Sequence, residues 1–91
     1  MEFEYDPRKS DLNKAKHGID FEEAKALWKD NWSLEVPSDY EGEERSLVIG
    51  LIDGTGWTAI ITHRFESIRL ISVRRWRDHE AKAYDNRRRA G

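Results

Sequence analysis

The stretch from Ile68 to Trp76 constrains the fold more than any other part of this sequence. It reads Ile-Arg-Leu-Ile-Ser-Val-Arg-Arg-Trp, so its middle is apolar on both faces of an extended strand, with Leu70 on one face and Val73 on the other. Such a strand is typical of the centre of a sheet. Arg74 and Arg75 then leave the sheet at its rim, where a rigid strand can hold them toward an anion. The alternative is that these arginines only solubilise the strand end.

The size and composition of the chain fit one small globular domain over residues 1–91. The sequence is 37% hydrophobic and 37% charged, which excludes a disordered chain and predicts an ionic surface. It has no cysteine and three scattered histidines, so disulfides, thiolate sites and a cysteine nucleophile are excluded, and no metal or other cofactor is expected. The N-terminus shows no leader pattern and no stretch approaches a membrane span, so we expect a cytoplasmic protein without membrane contact.

Charge is divided unevenly along the chain. Residues 1–44 carry 13 acids and 6 lysines or arginines, a net charge of −7, whereas residues 45–91 carry 5 acids and 10 lysines or arginines, a net charge of +5. A basic half in a nearly neutral protein is typical of phosphate contact on one face. Alternatively, Arg87, Arg88 and Arg89 belong only to a frayed, solvated tail.

Capping signals place the first two helices. Asp6 is a good N-cap, Pro7 suits the first helical position, and Gly18 ends the helix. Asp20 and Glu23 then form a capping box for a second helix. The predicted elements are a strand over 2–5, helices over 7–17 and 20–29, strands over 33–36, 45–52, 57–65 and 68–76, and a helix over 77–86.

These elements predict an α+β fold in the order β-α-α-β-β-β-β followed by a C-terminal helix. The four later strands form a meander, and the expected architecture is an antiparallel sheet with helices on one face. The turn-rich, acidic loop from Ser38 to Glu44 is expected either to cover a basic surface or to meet a partner.

Strand parity sorts the candidate residues by face. Along the strand from 57 to 65, Arg64 falls on the more polar, open face, and His63 falls on the core side as a hydrogen-bonded histidine at the edge of the core. On the last strand Arg74 shares a face with Trp76, whereas Arg75 lies on the other face with Arg69. One of Arg74 and Arg75 can therefore join Arg64, and parity leaves open which one.

The last helix places three chemically distinct groups on one face. The residues of this face follow each other at spacings of about four positions, and they are Trp76, Glu80, Tyr84 and either Arg87 or Arg88. The face therefore presents a carboxylate, a phenol and a guanidinium together. The alternative is a solvated helix that uses Trp76 and Tyr84 only to dock on the sheet.

These side chains suit metal-independent RNA cleavage. The ribose 2′-hydroxyl attacks the neighbouring phosphate, a base takes its proton, cations stabilise the phosphoryl oxygens, and an acid protonates the leaving 5′-oxygen. Arg64 and Arg74 are expected to stabilise the charge, with Arg75 as the substitute for Arg74. Tyr84 and Glu80 are the candidates for proton transfer.

Several blocks of the sequence also resemble the BrnT toxin family. They are Phe3-Glu4-Tyr5-Asp6-Pro7, Asn13, Lys16-His17-Gly18-Ile19, Phe21-Glu22-Glu23-Ala24, Gly42-Glu43-Glu44-Arg45, Gly50, Ile68 to Arg75, Glu80 and Tyr84. The resemblance implies a RelE-like fold and a ribonuclease toxin of a type II toxin–antitoxin system that blocks translation. It also implies a BrnA-type antitoxin with a ribbon-helix-helix domain, so that DNA is contacted only through the antitoxin. The chain departs from the family pattern at Tyr5, Val73 and Trp76.

Four residues are expected to contact RNA. Lys16 and His17 belong to the family-like Lys-His-Gly block, and His17 is interpreted either as part of a helix-ending device or as an RNA contact. Arg69 adds a cation on the last strand, and Trp76 can stack on an exposed base.

The sequence therefore favours a bacterial or archaeal RNA endonuclease that is metal-independent and is neutralised by an antitoxin. The rival hypothesis is a non-catalytic partner that binds a DNA-binding antitoxin and modulates operon repression. A third hypothesis, a module that binds nucleic acid directly, is weaker because the net charge is −2 and no helix is basic along one face.

Overall fold

The computed structural model describes residues 1–38 and 44–91, so most of the predicted acidic loop lies outside the described residues. A 3-10 helix, Lys25–Lys29, continues directly from α2. The elements are β1 (Glu2–Glu4), α1 (Pro7–His17), α2 (Phe21–Ala24), β2 (Leu34–Pro37), β3 (Ser46–Ile52), β4 (Thr55–Arg64), β5 (Ser67–Arg75) and α3 (Asp78–Ala90).

The predicted helix signals are confirmed. Asp6 caps α1 by accepting a hydrogen bond from the backbone N–H of Arg8 at 2.9 Å, and Gly18 ends this helix in a left-handed conformation with φ 82°. The capping box of α2 is complete, because Asp20 Oδ1 accepts from the N–H of Glu23 at 2.7 Å and Glu23 Oε1 accepts from the N–H of Asp20 at 3.0 Å. Local sequence thus explains where both helices begin.

The five strands form one mixed sheet in the order β1-β5-β4-β3-β2. Strands β2 to β5 pair antiparallel, but β1 pairs parallel with β5, with Phe3 opposite Ile68. The prediction of a purely antiparallel sheet was therefore wrong. Hairpin turns fix the direction of β3, β4 and β5, whereas β1 is separated from β5 by most of the chain, so its direction is set by tertiary packing.

A β-bulge in β5 changes which residues share a face. Ile60 pairs with Ser72, but Ile61 pairs with Leu70, so Ile71 is the additional residue on β5. The core side chains of β5 are Ile68, Leu70 and Val73, and because of the bulge the last two are three positions apart instead of two. The bulge puts Arg69 and Arg74 on the same face, where parity had predicted opposite faces.

The core fills the face of the sheet that meets α2 and the 3-10 helix. Its buried members are Ile19, Phe21, Ala24, Leu27, Val48, Ala59, Ile61, Ile68, Leu70 and Val73. Thr58 and Arg74, the strand neighbours of Ala59 and Val73, instead contact Glu80 of α3. Because successive strand residues point to opposite faces, α3 lies on the other side of the sheet, and the prediction of helices on one face was wrong.

The side chain of Asn13 completes the edge of β5 beyond the short strand β1. Its Nδ2 donates to the carbonyl of Val73 at 2.9 Å and to the carbonyl of Ile19 at 2.8 Å, and its Oδ1 accepts from the N–H of Val73 at 3.1 Å. Asn13 is buried, so these bonds satisfy backbone groups that water does not reach. They fasten α1 beside the strand that carries Arg74.

His63 differs in part from its prediction. It is hydrogen-bonded as expected, because its Nε2 lies 2.7 Å from Glu35 Oε2 of the edge strand β2. It pairs with the core residue Ile68 and shares the face of Ile61, so it is on the core side as predicted, but its side chain is 57% exposed because it lies beyond the end of the core. Phe65, which follows at the β4–β5 turn, is fully exposed, so the core face of β4 ends before these residues.

Candidate nucleic-acid interface

Residues 1–38 and 44–91 leave part of the sheet face opposite α2 uncovered, and we call this part the open face. α3 crosses one end of it, over Ile49 and Thr58, which are buried, while Ile60 and Ile71 farther along are half-buried. Two adjoining clefts lie on the open face. The Arg74 cleft has a volume of about 600 Å³ and is bordered by Lys16, His17, Arg45, Arg74, Arg77 and His79. The Arg69 cleft has a volume of about 380 Å³ and is bordered by Lys9, Glu44, Arg45, Arg64 and Arg69.

Arg74 is held rigidly at the border of its cleft. Its Nη1 lies 2.8 Å from Glu80 Oε1 and its Nη2 lies 2.9 Å from Glu80 Oε2, so the guanidinium and carboxylate meet at two points. Nη1 also donates to the carbonyl of Arg75 at 3.2 Å. The side chain of Arg74 is 18% exposed, whereas that of Glu80 is 2% exposed. A fixed cation therefore faces the cleft, and its counter-ion lies behind it.

Glu80 is saturated with hydrogen bonds. Besides Arg74, it accepts from Thr58 Oγ1 at 2.9 Å and from the backbone N–H of Arg77 at 2.8 Å. Burial alone would raise the pKa of Glu80, but the bonds from Arg74, Arg77 and Thr58 outweigh it and lower the pKa to about 2. A carboxylate with so low a pKa is a very weak base at neutral pH. The geometry of Glu80 therefore suits a role in orienting the guanidinium of Arg74.

Tyr84 is buried between α3 and the end of β3 and does not border the Arg74 cleft. Its hydroxyl donates to Asp30 Oδ2 at 2.8 Å, and the same oxygen accepts from the N–H of Leu51 at 2.8 Å. Burial, together with the bond to Asp30, raises the pKa of Tyr84 to about 12. The phenol is 4% exposed and joins α3 to the end of β3. Its position suits the docking alternative considered for the last helix.

Trp76 is half-buried and packs against the domain. Its indole lies directly over the backbone of Gly56 and tilts against the ring of Tyr84, with ring centroids 5.4 Å apart. The backbone N–H of Trp76 donates to the carbonyl of Gly56 at 3.2 Å. The side chain thus supports the junction between β5 and α3, a contact that base stacking would have to displace.

Arg75 points away from the open face. Its guanidinium lies 5.6 Å from the centroid of the Trp57 ring, and its Nε donates to the carbonyl of Gly56 at 3.1 Å. Sequence parity left open whether Arg74 or Arg75 shares a face with Arg64. Arg74 does, because it pairs with Thr58, which lies on the same face of β4 as Arg64.

Arg64 and Arg74 share a face but not a cleft. Arg74 is opposite Thr58, and Thr58 lies six residues before Arg64 on the same strand, a separation of about 20 Å at ~3.3 Å per residue. Arg64 instead lies near Arg69. Glu4 of β1 is close to both, with its Oε1 at 3.9 Å from Arg64 Nε and 3.4 Å from Arg69 Nη1.

The remaining predicted RNA contacts and three further residues meet at the Arg74 cleft. Lys16 and His17 border it at the end of α1. Three residues that were not predicted as site residues also border it, namely Arg45, Arg77 and His79. The position of Arg45 was detectable, because it shares its parity with Leu47 at the start of β3. The positions of Arg77 and His79 depend on the path into α3, which strand parity does not describe.

Two general properties complete the description of residues 1–38 and 44–91. No three His, Asp or Glu side chains in these ranges come close enough to hold a metal ion. No helix there is long and apolar enough to cross a bilayer.

Among residues 1–38 and 44–91, the clefts on the open face of this mixed α+β domain are bordered mainly by basic residues, a pattern that is suited to a polyanion. Residues 5–80 match the family model described as ribonuclease toxin, BrnT, of type II toxin-antitoxin system. The chain therefore belongs to the BrnT family of ribonuclease toxins, and the type II family implies an antitoxin partner. A comparison with curated proteins finds no match.

Proposed function

We propose that this protein is a metal-independent RNA endonuclease with a RelE-like fold and that the Arg74 cleft is its active site. The observation that carries the proposal is the fixed guanidinium of Arg74, which Glu80 orients into a cleft bordered by Lys16, His17 and Arg77. A preorganised cation is the group that stabilises charge developing on a phosphoryl oxygen. Membership of a ribonuclease toxin family supports the same assignment.

The proposed reaction begins when the ribose 2′-oxygen attacks the adjacent phosphorus. A base takes the 2′-hydroxyl proton, Arg74 and Lys16 stabilise the charge on the non-bridging oxygens, and an acid donates a proton to the leaving 5′-oxygen. The products are a 2′,3′-cyclic phosphate and a 5′-hydroxyl. Proton transfer is assigned to His17 and His79, because histidine is the side chain that most often serves as a general acid or base and both residues border the cleft.

The other predicted catalytic residues receive different roles in this proposal. Glu80 positions Arg74, and Tyr84 supports α3 through Asp30. Arg75 packs on Trp57, and Arg64 belongs to the adjoining cleft. Glu80 and Tyr84 are buried, and Arg64 and Arg75 do not border the Arg74 cleft.

The proposed consequence of cleavage is inhibition of translation in the cytoplasm. We propose that a BrnA-type antitoxin with a ribbon-helix-helix domain neutralises the protein by covering the open face. Its support is the type II family, which implies an antitoxin, and the uncovered basic surface, which would attract an acidic segment of a partner.

The test is incubation of purified protein, freed of antitoxin, with a defined RNA in EDTA. The ends of the products are then analysed chemically. Arg74→Ala alone would leave the buried Glu80 without its cationic partner, so the informative variant is the double substitution Arg74→Met/Glu80→Leu, which replaces the ion pair by apolar groups of similar size. His17→Ala is the second variant. Arg89→Ala, on an exposed residue near the end of α3, is the matched control for loss of a cation.

The expected result is 2′,3′-cyclic phosphate ends from wild type and the Arg89 variant, with loss of at least about a hundredfold in rate for the double variant. Folded wild type that leaves RNA intact, with and without ribosomes, would contradict the proposal. That outcome would favour the non-catalytic antitoxin partner that modulates operon repression.

A further inference from the structure

The Arg69 cleft has an excess of positive charge that the proposed reaction does not use. Glu4 lies within ion-pair distance of both Arg64 and Arg69, so two guanidinium groups share one carboxylate. Lys9 and Arg45 also border this cleft, and Glu44 is the acidic residue among them. Within residues 1–38 and 44–91, Lys9, Arg64 and Arg69 outnumber the carboxylates of Glu4 and Glu44 in this shallow, water-accessible depression. Such a site attracts an anion.

The two clefts form a continuous path along the open face. Both are bordered by Arg45 and Ile71, so a chain lying on the sheet passes directly from one to the other. Thr62, the partner of Arg69, lies four residues from Thr58, the partner of Arg74, which corresponds to about 13 Å at ~3.3 Å per residue. This separation is too long for one phosphate or for two adjacent phosphates, and it suits phosphates farther apart along one strand.

The floor of the path suits a single strand. Ile60 and Ile71 are half-buried apolar side chains between the two groups of cations. Apolar surface flanked by cations accommodates unpaired bases, whereas the bases of a duplex are stacked and unavailable.

We propose that the Arg69 cleft is a phosphate-binding subsite that holds the same single-stranded RNA a few nucleotides from the scissile phosphate. The location of the scissile phosphate rests on the proposed function, but phosphate binding at Arg69 does not. Glu4 acts as an internal competitor, because its carboxylate occupies the guanidinium groups that the phosphate needs. Removing a cation and removing this carboxylate should therefore change RNA affinity in opposite directions.

The test is the salt dependence of binding to a fluorescent single-stranded RNA that spans both clefts and carries 2′-O-methyl groups, which prevent cleavage. The variants are Arg69→Ala, Arg64→Ala and Glu4→Gln, with Arg89→Ala as the control. Arg64 is exposed, so its variant serves if Arg69→Ala fails to fold. We expect the slope of log affinity against log salt to fall by about 0.7 for each arginine removed. Glu4→Gln should bind more tightly than wild type.

Cleavage kinetics give an independent result. For a long RNA, Arg69→Ala should raise KM about tenfold while kcat stays unchanged, because a charged hydrogen bond outside the reacting centre is lost. For a dinucleotide substrate, which is too short to reach the subsite, wild type and variant should be equal.

The outcomes separate this proposal from the proposed function. If wild type cleaves no RNA but the salt slope falls in the arginine variants, the subsite stands and the nuclease assignment fails. If cleavage occurs and the salt slopes are equal, the subsite is overturned. A poly-glutamate peptide serves as a probe for an acidic protein ligand. If Arg69→Ala abolishes binding of this peptide and leaves RNA binding unchanged, the cleft binds protein and the proposal is overturned.

Discussion

Arg74 at the end of β5 and Glu80 in the first turn of α3 form a two-point ion pair, with Nη1–Oε1 at 2.8 Å and Nη2–Oε2 at 2.9 Å. The pair connects the strand that carries the candidate catalytic cation to the helix that covers one end of the open face. Because Glu80 is almost fully buried, the pair has a structural consequence that is measurable apart from RNA cleavage.

Glu80→Gln should lower stability in a pH-dependent way. The pKa of Glu80 falls from 4.5 to about 2 on folding, so its contribution is fully present above pH 4.5 and is lost as the pH falls through about 2. The shift corresponds to about 3 kcal/mol. We expect the variant to be less stable by about this amount at pH 7 and to approach wild type near pH 2, as measured by urea unfolding. Glu66→Gln, in the exposed β4–β5 turn, should change the free energy of unfolding by less than about 0.5 kcal/mol. A constant difference at every pH would contradict the argument.

Tyr84→Phe should reduce stability and leave RNA cleavage unchanged. The substitution removes the buried hydrogen bond to Asp30 at a cost of about 1–2 kcal/mol, and the hydroxyl is remote from the Arg74 cleft. Thermal unfolding and single-turnover cleavage measure the two effects. The matched control is Tyr5→Phe, whose hydroxyl donates to the exposed Glu22 and should contribute less than about 0.5 kcal/mol. Loss of cleavage in folded Tyr84→Phe would return Tyr84 to the candidates for proton transfer.

Asn13→Ala should destabilise the edge of β5. It leaves the buried N–H and carbonyl of Val73 and the carbonyl of Ile19 without their partner, which should cost about 3 kcal/mol. Urea unfolding measures the loss, and hydrogen exchange at Val73 should accelerate. Leu12→Ala changes the adjacent, exposed position and should cost less than about 0.5 kcal/mol. Equal stabilities of the two variants would show that Asn13 does not complete the sheet.

Gly56→Ala should be destabilising because of Trp76. A Cβ at position 56 would lie 1.9 Å from Trp76 Cε2 and 2.0 Å from Trp76 Cδ2, so the indole must move away from Tyr84. We expect a cost of about 2–3 kcal/mol in the wild-type background. In a Trp76→Ala background the clash is absent, and the same change should cost less than about 1 kcal/mol. Thermal unfolding of the four proteins measures the coupling, and additive effects would contradict it.

The starts of the first two helices and the end of α1 were predictable because their determinants are local, whereas the change from α2 to a 3-10 helix after Ala24, within the helix predicted over 20–29, was not. Asp6 and Gly18 act on backbone groups within four residues, and so do Asp20 and Glu23. The β3–β4 hairpin is of the same kind, since Asp53 and Gly54 adopt the positive φ angles of 49° and 80° that a two-residue turn requires.

The grouping of the arginines was not predictable from parity. Parity assumes an unbroken strand, and the bulge at Ile71 reverses the face of every residue beyond it. Arg69 therefore joins Arg74 on the open face, while Arg75 faces Trp57. No local pattern marks the bulge, because it results from pairing with β4.

The sequence by itself determined the elements, their order, the division of charge and the placement of Glu80 and Tyr84 on one face of the last helix. These depend on interactions between residues close in the chain and on the periodicity of each element. Only the tertiary structure decided that Glu80 and Tyr84 are buried, that β1 is parallel to β5, and that the cations divide between two clefts. Burial, strand direction and the meeting of distant cations depend on contacts between residues far apart in the chain, and the pKa values follow from those contacts.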